Sequence, residues 1–379
     1  MKEGWTYKKL GEVCDILDYM RKPITKGKRE VGIIPYYGAT GCLDYVKDYI
    51  FDEKLVLLGE DGAKWGAGET SSYIIEGKSW VNNHAHALRP RREIILDEIL
   101  VYFLNYSNLL PYITGVTVPK LNQEKMRSII IPIAPIKEQD RIVERLDAAF
   151  ENIDKLKANA EKQLAEAQIL FQKSLAKAME TKEGWEVKAL KELGMTQTGT
   201  TPSKNDKENY GDFIPFIRPS EIDYDDCGNI DYNSEIKLSE RGLSAGRLFK
   251  KGSILMVCIG ATISKVGFVT QDVSCNQQIN VLTPKKEYYY KFIYYAMRNK
   301  EFKDKVIKEG TSSQATLPII NKGKWERLTI SLPPLAEQQR IVERLDALSE
   351  NIRKYEEIQR QIISECDALK QALLRKVFE

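Results

Sequence analysis

The chain has two histidines, His84 and His86, which alternate, so on a strand they would share a face and could begin a metal site. No third ligand is evident, and in a second copy of the surrounding motif the matching positions are Gln278 and Asn280. Amides in place of imidazoles favour hydrogen bonding over ligation, so no metal is expected. Catalysis has little to build on either. Pro333-Pro334 is the one Pro-Pro pair and sits in Leu-Pro-Pro-Leu, so the Asn/Asp-Pro-Pro-Tyr/Phe element of adenine methyltransferases is missing. A Gly-x-x-x-x-Gly-Lys-Ser/Thr loop for ATP is missing too. The tripeptide Asp52-Glu53-Lys54 matches the tail of a nuclease motif, but so short a match is common by chance.

Binding chemistry is better represented. Arg21, Lys22, Lys26, Lys28 and Arg29 form the densest basic run outside the helical stretches. They read either as a phosphate-contacting loop or as a solvated one. Arg89, Arg91 and Arg92 form a second cluster, open to the same two readings. Lys64 stands beside Trp65 between glycines, a loop that could present an aromatic, although Trp65 suits a core equally well. Further on, Ser203, Lys204 and Arg218 supply a hydroxyl and cations on loops, for phosphate positioning or for structure, and Arg241, Arg247 and the 223–232 loop are further candidates for contact.

Composition sets the class. A chain of 379 residues, 42% apolar and 29% charged, is an ordinary globular protein with room for two or three cores. The net charge of +3 is too small to cover a polyanion alone, so a nucleic-acid partner would draw further charge from other subunits. Six scattered cysteines without a Cys-x-x-Cys pair argue against zinc or a disulfide framework and suit a reducing compartment. There is no apolar stretch of signal-peptide or membrane-spanning length, so a cytoplasmic protein is expected.

The elements that must position these residues come in duplicate. Arg-Ile-Val-Glu-Arg-Leu-Asp occurs at 141–147 and again at 340–346, and 118–180 repeats as 317–379 without a gap at an offset of 199. Gly4-Trp5 and Ile34-Pro35 recur at Gly184-Trp185 and Ile214-Pro215, an offset of 180, and 82–90 aligns with 276–284. Strands are expected at 54–58, 72–75, 129–131 and 328–330, with helices at 94–106 and 288–299. The third strand should stop at Pro132. From Ile136 to Glu180 and from Leu335 to Glu379 there is neither Gly nor Pro. Apolar residues there step by threes and fours, through Leu146, Ile153, Leu156 and Ala160 in one stretch and Leu345, Ile352, Ile358 and Leu369 in the other. Each predicts an amphipathic helix of about 65 Å. Two equal stripes would most simply pair antiparallel, giving a pseudo-twofold dumbbell. The division is 1–135, 136–180, 181–334 and 335–379.

This order of pieces resembles the specificity subunit of type I restriction-modification systems. The likeness rests on the signatures at 135–147 and 334–346, on 198–222 and 276–284, and on 33–41 and 80–90 in the first half. The resemblance implies an α+β fold: two α/β target recognition domains at opposite ends of an intramolecular antiparallel coiled coil of two long helices. It implies a non-catalytic reader of a split, asymmetric site in double-stranded DNA, with two methyltransferase subunits and two translocase-nuclease subunits as partners. S-adenosylmethionine, ATP and Mg would then belong to those partners. Glu138, Gln139 and Arg141, with Glu337, Gln338 and Arg340, head the two helices and read either as partner-docking residues or as local strand-to-helix fixing. The alternative in another class is a silent or adaptor paralogue that binds the methyltransferase without specific readout.

Two readers on a dyad would meet one DNA face about one turn, roughly 34 Å, apart. Inserting about four residues into the first long helix alone should therefore move or destroy the half-site spacing, because each residue adds about 1.5 Å. Methylation continuing at an unchanged motif would refute the ruler. Exchanging residues 1–117 for those of another such protein should alter one half of the motif.

Overall fold

Leu55–Gly59 is buried along its whole length, which requires a packing layer on each face. The alternation of a strand supplies it: Val56 and Leu58 enter one apolar cluster, Leu55 and Leu57 the other. The computed structural model describes residues 4–115, 117–222, 230–233, 236–311 and 317–379. They fall into two compact units, 1–160 with 361–379, and 161–360.

In the first unit an antiparallel sheet has the order Cys14–Ile16, Ala85–Pro90, Leu55–Gly59, Ser72–Ile75. Helix Asp97–Tyr106 packs on one of its faces through Ile99, Leu100 and Leu104. A second sheet runs Gly41–Val46, Val31–Gly38, Lys78–Val81, Phe51–Asp52, with its two middle strands parallel. Strand Thr6–Lys9 pairs with Ile130–Ile133, closing the unit's ends together. That last strand runs through Pro132 rather than stopping there: in a two-stranded ribbon a residue without an N–H can face away from the single partner.

The second unit repeats this plan. Gly194–Thr198, Ile279–Pro284, Ile254–Val257 and Val266–Phe268 form the antiparallel sheet, and Glu186–Ala189 pairs with Thr329–Leu332. Ile254 and Met256 face one cluster, Leu255 and Val257 the other. The second sheet holds Lys237–Leu238, Tyr210–Ile217 and Ser274–Cys275 among the described residues. Equivalent registers hold at the sequence offsets: Tyr36 opposes Trp80 as Phe216 opposes Ser274.

The long helices run Ile136–Ala178 and Leu335–Phe378. Within the first unit they pair antiparallel, Lys157 to Asp367 at 2.7 Å and Lys370 to Asp154 at 2.5 Å, while Phe378 packs edge-on against Phe103. Within the second, Phe171 and Leu175 share a cluster with Ile341, Val342 and Leu345, and Tyr355 donates to Gln163. The seam differs from the expected stripe. Leu146, Ile153, Ala160 and Ala167 are buried at a strict spacing of seven, and Leu156 is left 51% exposed. In the partner helix Leu345, Gln359 and Cys366 are buried on the same repeat, and Ile358 and Leu369 lie outside it. A seven-residue period keeps one seam facing the partner only when the helices supercoil, and that geometry selects the amide of Gln359 over the neighbouring isoleucine.

The head of each helix is spliced to its unit by a glutamine. Gln139, fully buried, donates through Nε2 to the carbonyls of Ile94 (2.8 Å) and Ala134 (2.7 Å) and accepts from the Leu96 amide at 2.9 Å. Leu96 caps helix Asp97–Tyr106, whose first amides have no partner within that helix. Gln338 does the same in the second unit, donating to the Pro333 carbonyl and accepting from the Tyr289 amide at the start of helix Tyr290–Arg298. The last residue of each repeated heptapeptide ties the same pair of elements: Asp147 accepts from Tyr102, and Asp346 accepts from Tyr295 at 2.7 Å and from Lys291 at 2.5 Å. Replacing Gln139 by Leu strands one amide and two carbonyls in a buried place. At about 1–3 kcal/mol for each unsatisfied group, the first unit should lose roughly 2–5 kcal/mol of stability and the 97–106 helix its hydrogen-exchange protection. Denaturation of the full chain beside the exposed control Lys137→Ala measures this, and equal midpoints would refute the splice.

Candidate nucleic-acid interface

The basic run of the first unit divides by burial. Arg21 turns inward: its guanidinium meets Glu60 at 2.5 Å, the Ala85 carbonyl at 2.7 Å and Asp18 at 3.3 Å. Lys22, Lys26 and Lys28 are exposed and have no ion-pair partner among the described residues. Arg29 lies over the Tyr36 ring and meets Asp44 at 2.9 Å, holding that carboxyl below its ordinary range. Together with the Ile24 amide, which donates to the Tyr36 hydroxyl at 3.0 Å, it pins the loop carrying the three lysines against the hairpin of the second sheet.

The other candidate arginines of the two globular parts each contact a carboxylate or a carbonyl. Arg89 holds Glu53 in a fork with both contacts at 2.7 Å, Arg91 meets Asp15 at 3.0 Å, and Arg92 meets Asp97 at 2.9 Å. In the second unit Arg218 meets Glu221 at 2.5 Å, Arg241 bridges Asp206 and Glu208, and Arg247 donates to the Thr198 carbonyl. Magnitude separates these cases. An exposed ion pair is worth about 0–1 kcal/mol, so Arg91 and Arg241 can exchange a carboxylate for a phosphate at little cost. Breaking a buried pair costs about 3–5 kcal/mol, which assigns Arg21 to structure. Lys64 is exposed 3.7 Å from Glu69, whereas Trp65 is buried with its indole N–H on the Gly59 carbonyl.

The histidines do not converge. His84 is exposed against Asp61, and His86 is buried, with Nδ1 at 2.6 Å from Asp18 and Nε2 at 2.7 Å from the Leu121 carbonyl. Asp18, Glu60 and His86 do bring ligand-type atoms within 4.8 Å of one another, a grouping the sequence spacing does not reveal. Arg21 and Lys120 already neutralise the two carboxylates, so the cluster is a closed ion-pair network. Burial alone would raise the Asp18 carboxyl; the bond to His86, that ring's charge, Arg21 and the Ala87 amide outweigh it and hold the group below its usual value.

In the second unit a cleft of about 630 Å³ is lined by Lys204, Arg218, Lys237, Asn276, Gln277 and Gln278 among others. Ser203 is exposed beside it in sequence. Gln277 was not among the sequence candidates, and Gln278 entered only as the amide that matches His84, although the repeat sets the pair against Asn83 and His84. Of the 223–232 loop, residues 223–229 lie outside the described residues. At the helix heads, Gln139 and Gln338 are buried and engaged in the splice, which matches the local strand-to-helix reading of these residues. Glu138 accepts from the Trp5 indole at 3.1 Å, and Glu337 stands 3.7 Å from Lys182 and 3.8 Å from Arg340. Arg141 and Arg340 are exposed. The five cysteines among the described residues are free; burial pushes the Cys14 and Cys258 thiols up to about 12. No described helix is long and apolar enough to cross a membrane.

Known proteins share this arrangement. The type I restriction modification DNA specificity domain matches twice, over residues 2–166 and 182–363. A "Putative type I restriction enzyme specificity subunit" of Haemophilus influenzae is 29% identical over 354 residues, covering 90% of this chain and 86% of its own. The MjaVIII specificity subunit of Methanocaldococcus jannaschii is 24% identical, covering 91% and 86%. Among solved structures, the HsdS subunit of Thermoanaerobacter tengcongensis superposes with a TM-score of 0.55 at 18% identity, covering 100% of this chain and 97% of that one. A chain from a study of complex assembly and conformational transition of the type I R-M system superposes at 0.76, also at 18% identity, with 100% and 98% covered. Two family matches, together spanning most of the chain and each falling on one copy of the repeated fold, establish that the protein belongs to the type I restriction-modification DNA specificity family.

Proposed function

We propose that each globular unit reads one half of a split, asymmetric site in duplex DNA, and that the chain does no chemistry itself. One observation carries this reading. The two units keep the same strand registers and the same buried splices, yet differ in the exposed residues around the second sheet, where Lys22, Lys26 and Lys28 in one stand against Ser203, Lys204 and the amide-lined cleft in the other. A framework built twice with different outward chemistry suits recognition of two different half-sites. Lys22, Lys26 and Lys28 make phosphate contacts, with Arg91, Arg241 and Arg247 as exchangeable cations, while Arg89, Arg92 and Arg218 are held more firmly by carboxylates, that of Arg92 being the buried Asp97. The partners are adenine methyltransferase subunits, which bring S-adenosylmethionine, and translocase-nuclease subunits, which bring ATP and Mg. The exposed Arg141 and Arg340 at the helix heads are the docking candidates that remain.

Co-expression with the neighbouring methyltransferase, followed by methylome sequencing, should reveal a split adenine-methylated motif that disappears without this chain. A stable complex with no motif would point to the silent adaptor instead. Replacing Lys22, Lys26 and Lys28 together by Ala should weaken binding to all sequences alike and reduce the salt slope by about 2–3. Arg21→Ala should instead destabilise the first unit. A triple variant with an unchanged salt slope would remove those lysines from the interface.

A further inference from the structure

In the hairpin of the first unit, Val31 and Ile34 both register against Val46, so Gly32 and Ile33 bulge out of the strand. A bulge of this kind bends its strand and re-aims the side chains beside it. The close approach is fixed by Gly32: a Cβ there would lie 2.3 Å from the Val46 carbonyl oxygen and 2.4 Å from the Lys47 Cα. Val31 and Ile33 are left 92% and 88% exposed. The second unit repeats the device, Tyr210 and Ile214 both registering against Leu238. There Phe213, the counterpart of Ile33 at the 180-residue offset, is 56% exposed. The bulge is therefore kept in both units while the residues it turns outward change.

Single exposed apolar residues are ordinary, but two on one bulge, at 92% and 88% exposure beside a lysine-bearing loop, are informative, and their surroundings indicate an occupant. The loop of Lys22, Lys26 and Lys28 is pinned to the first hairpin through Arg29 and Asp44. In the second unit Gly211 and Asp212, on the bulged strand, line the cleft that holds Lys204 and Arg218. Cations around an apolar tip fit a polyanion with an apolar group recessed between its phosphates. The major groove of B-DNA admits a two-stranded β-ribbon, and the C5-methyl of thymine is the apolar group on its base edges.

We propose, building on the DNA-reading function above, that both bulged hairpins enter the major groove and read thymine methyl groups, through Val31 and Ile33 in the first unit and Phe213 in the second. These side chains are specificity-determining residues, separate from the lysines that position the duplex. The test uses the full chain assembled with its methyltransferase and duplexes carrying the wild-type motif. Each thymine is replaced singly by deoxyuridine, which removes the methyl and nothing else. Wild type should lose about three- to tenfold in affinity at one or more thymine positions in each half-site. Val31→Ser with Ile33→Ser should abolish that discrimination in one half and leave the other intact, and Phe213→Ser should do the reverse. Such exposed positions should leave the melting temperature at its wild-type value. A wild-type complex that treats thymine and uracil alike at every position would overturn the inference. So would discrimination that survives the substitutions, or variants that lose the methyltransferase, since the tips would then be a protein interface. Failure of the underlying function looks different: the wild-type complex would then prefer no duplex at all.

Discussion

Everything in this chain depends on joining a long helix to a small mixed domain without exposing or orphaning the backbone where they meet. That junction gathers a strand end, a helix head and the start of a second helix, all with carbonyls or amides that secondary structure cannot satisfy. Gln139 resolves it with one side chain that both donates and accepts, and Gln338 repeats the solution. A carboxylate could not donate and an ammonium could not accept, so the amide is the side chain that fits. Asp147 and Asp346, eight residues on, clamp tyrosines of the same domain helices. The repeated heptapeptide, with the glutamine two residues before it, is thus a joint, and that glutamine and the closing aspartate serve the geometry they hold.

Around that joint the chain separates what must be constant from what can vary. The central strands, buried on both faces, and the antiparallel register of Thr6–Lys9 with Ile130–Ile133 recur in the second unit as Glu186–Ala189 with Thr329–Leu332. Exposed residues of the second sheet and of the loops at its hairpin differ between the units. Changing an exposed residue there costs little stability, whereas changing a packed one costs kilocalories. A domain built this way can change its exposed chemistry without rebuilding its core. Electrostatics follow the same division: Arg21, Asp18, Glu60 and His86 are locked in a buried network, and the neighbouring lysines are left to solvent.

Much of this was legible in the residues. The ungapped repeat determined that there are two equal long helices, and runs without Gly or Pro placed their ends within two residues of Ala178 and Phe378. Glycine-bounded apolar runs located Leu55–Gly59 and Ser72–Ile75, because strand and turn chemistry are local. What the sequence could not decide was which of several adjacent side chains a partner surface would claim. Leu156 and Ile358 match a 3.6-residue stripe as well as their neighbours do, and only pairing with a second helix at a seven-residue period leaves them outside and draws Gln359 in. A basic run likewise gives no sign that Arg21 is enclosed by Glu60, 39 residues away, while the exposed Lys22 side chain beside it has no ion-pair partner among the described residues. Nor does a Val-Gly-Ile string announce a bulge, which exists only in relation to the strand across from it. Local preference fixes the elements of this protein and their number; burial, register and charge pairing are properties of two segments at once, and the tertiary structure alone decides them.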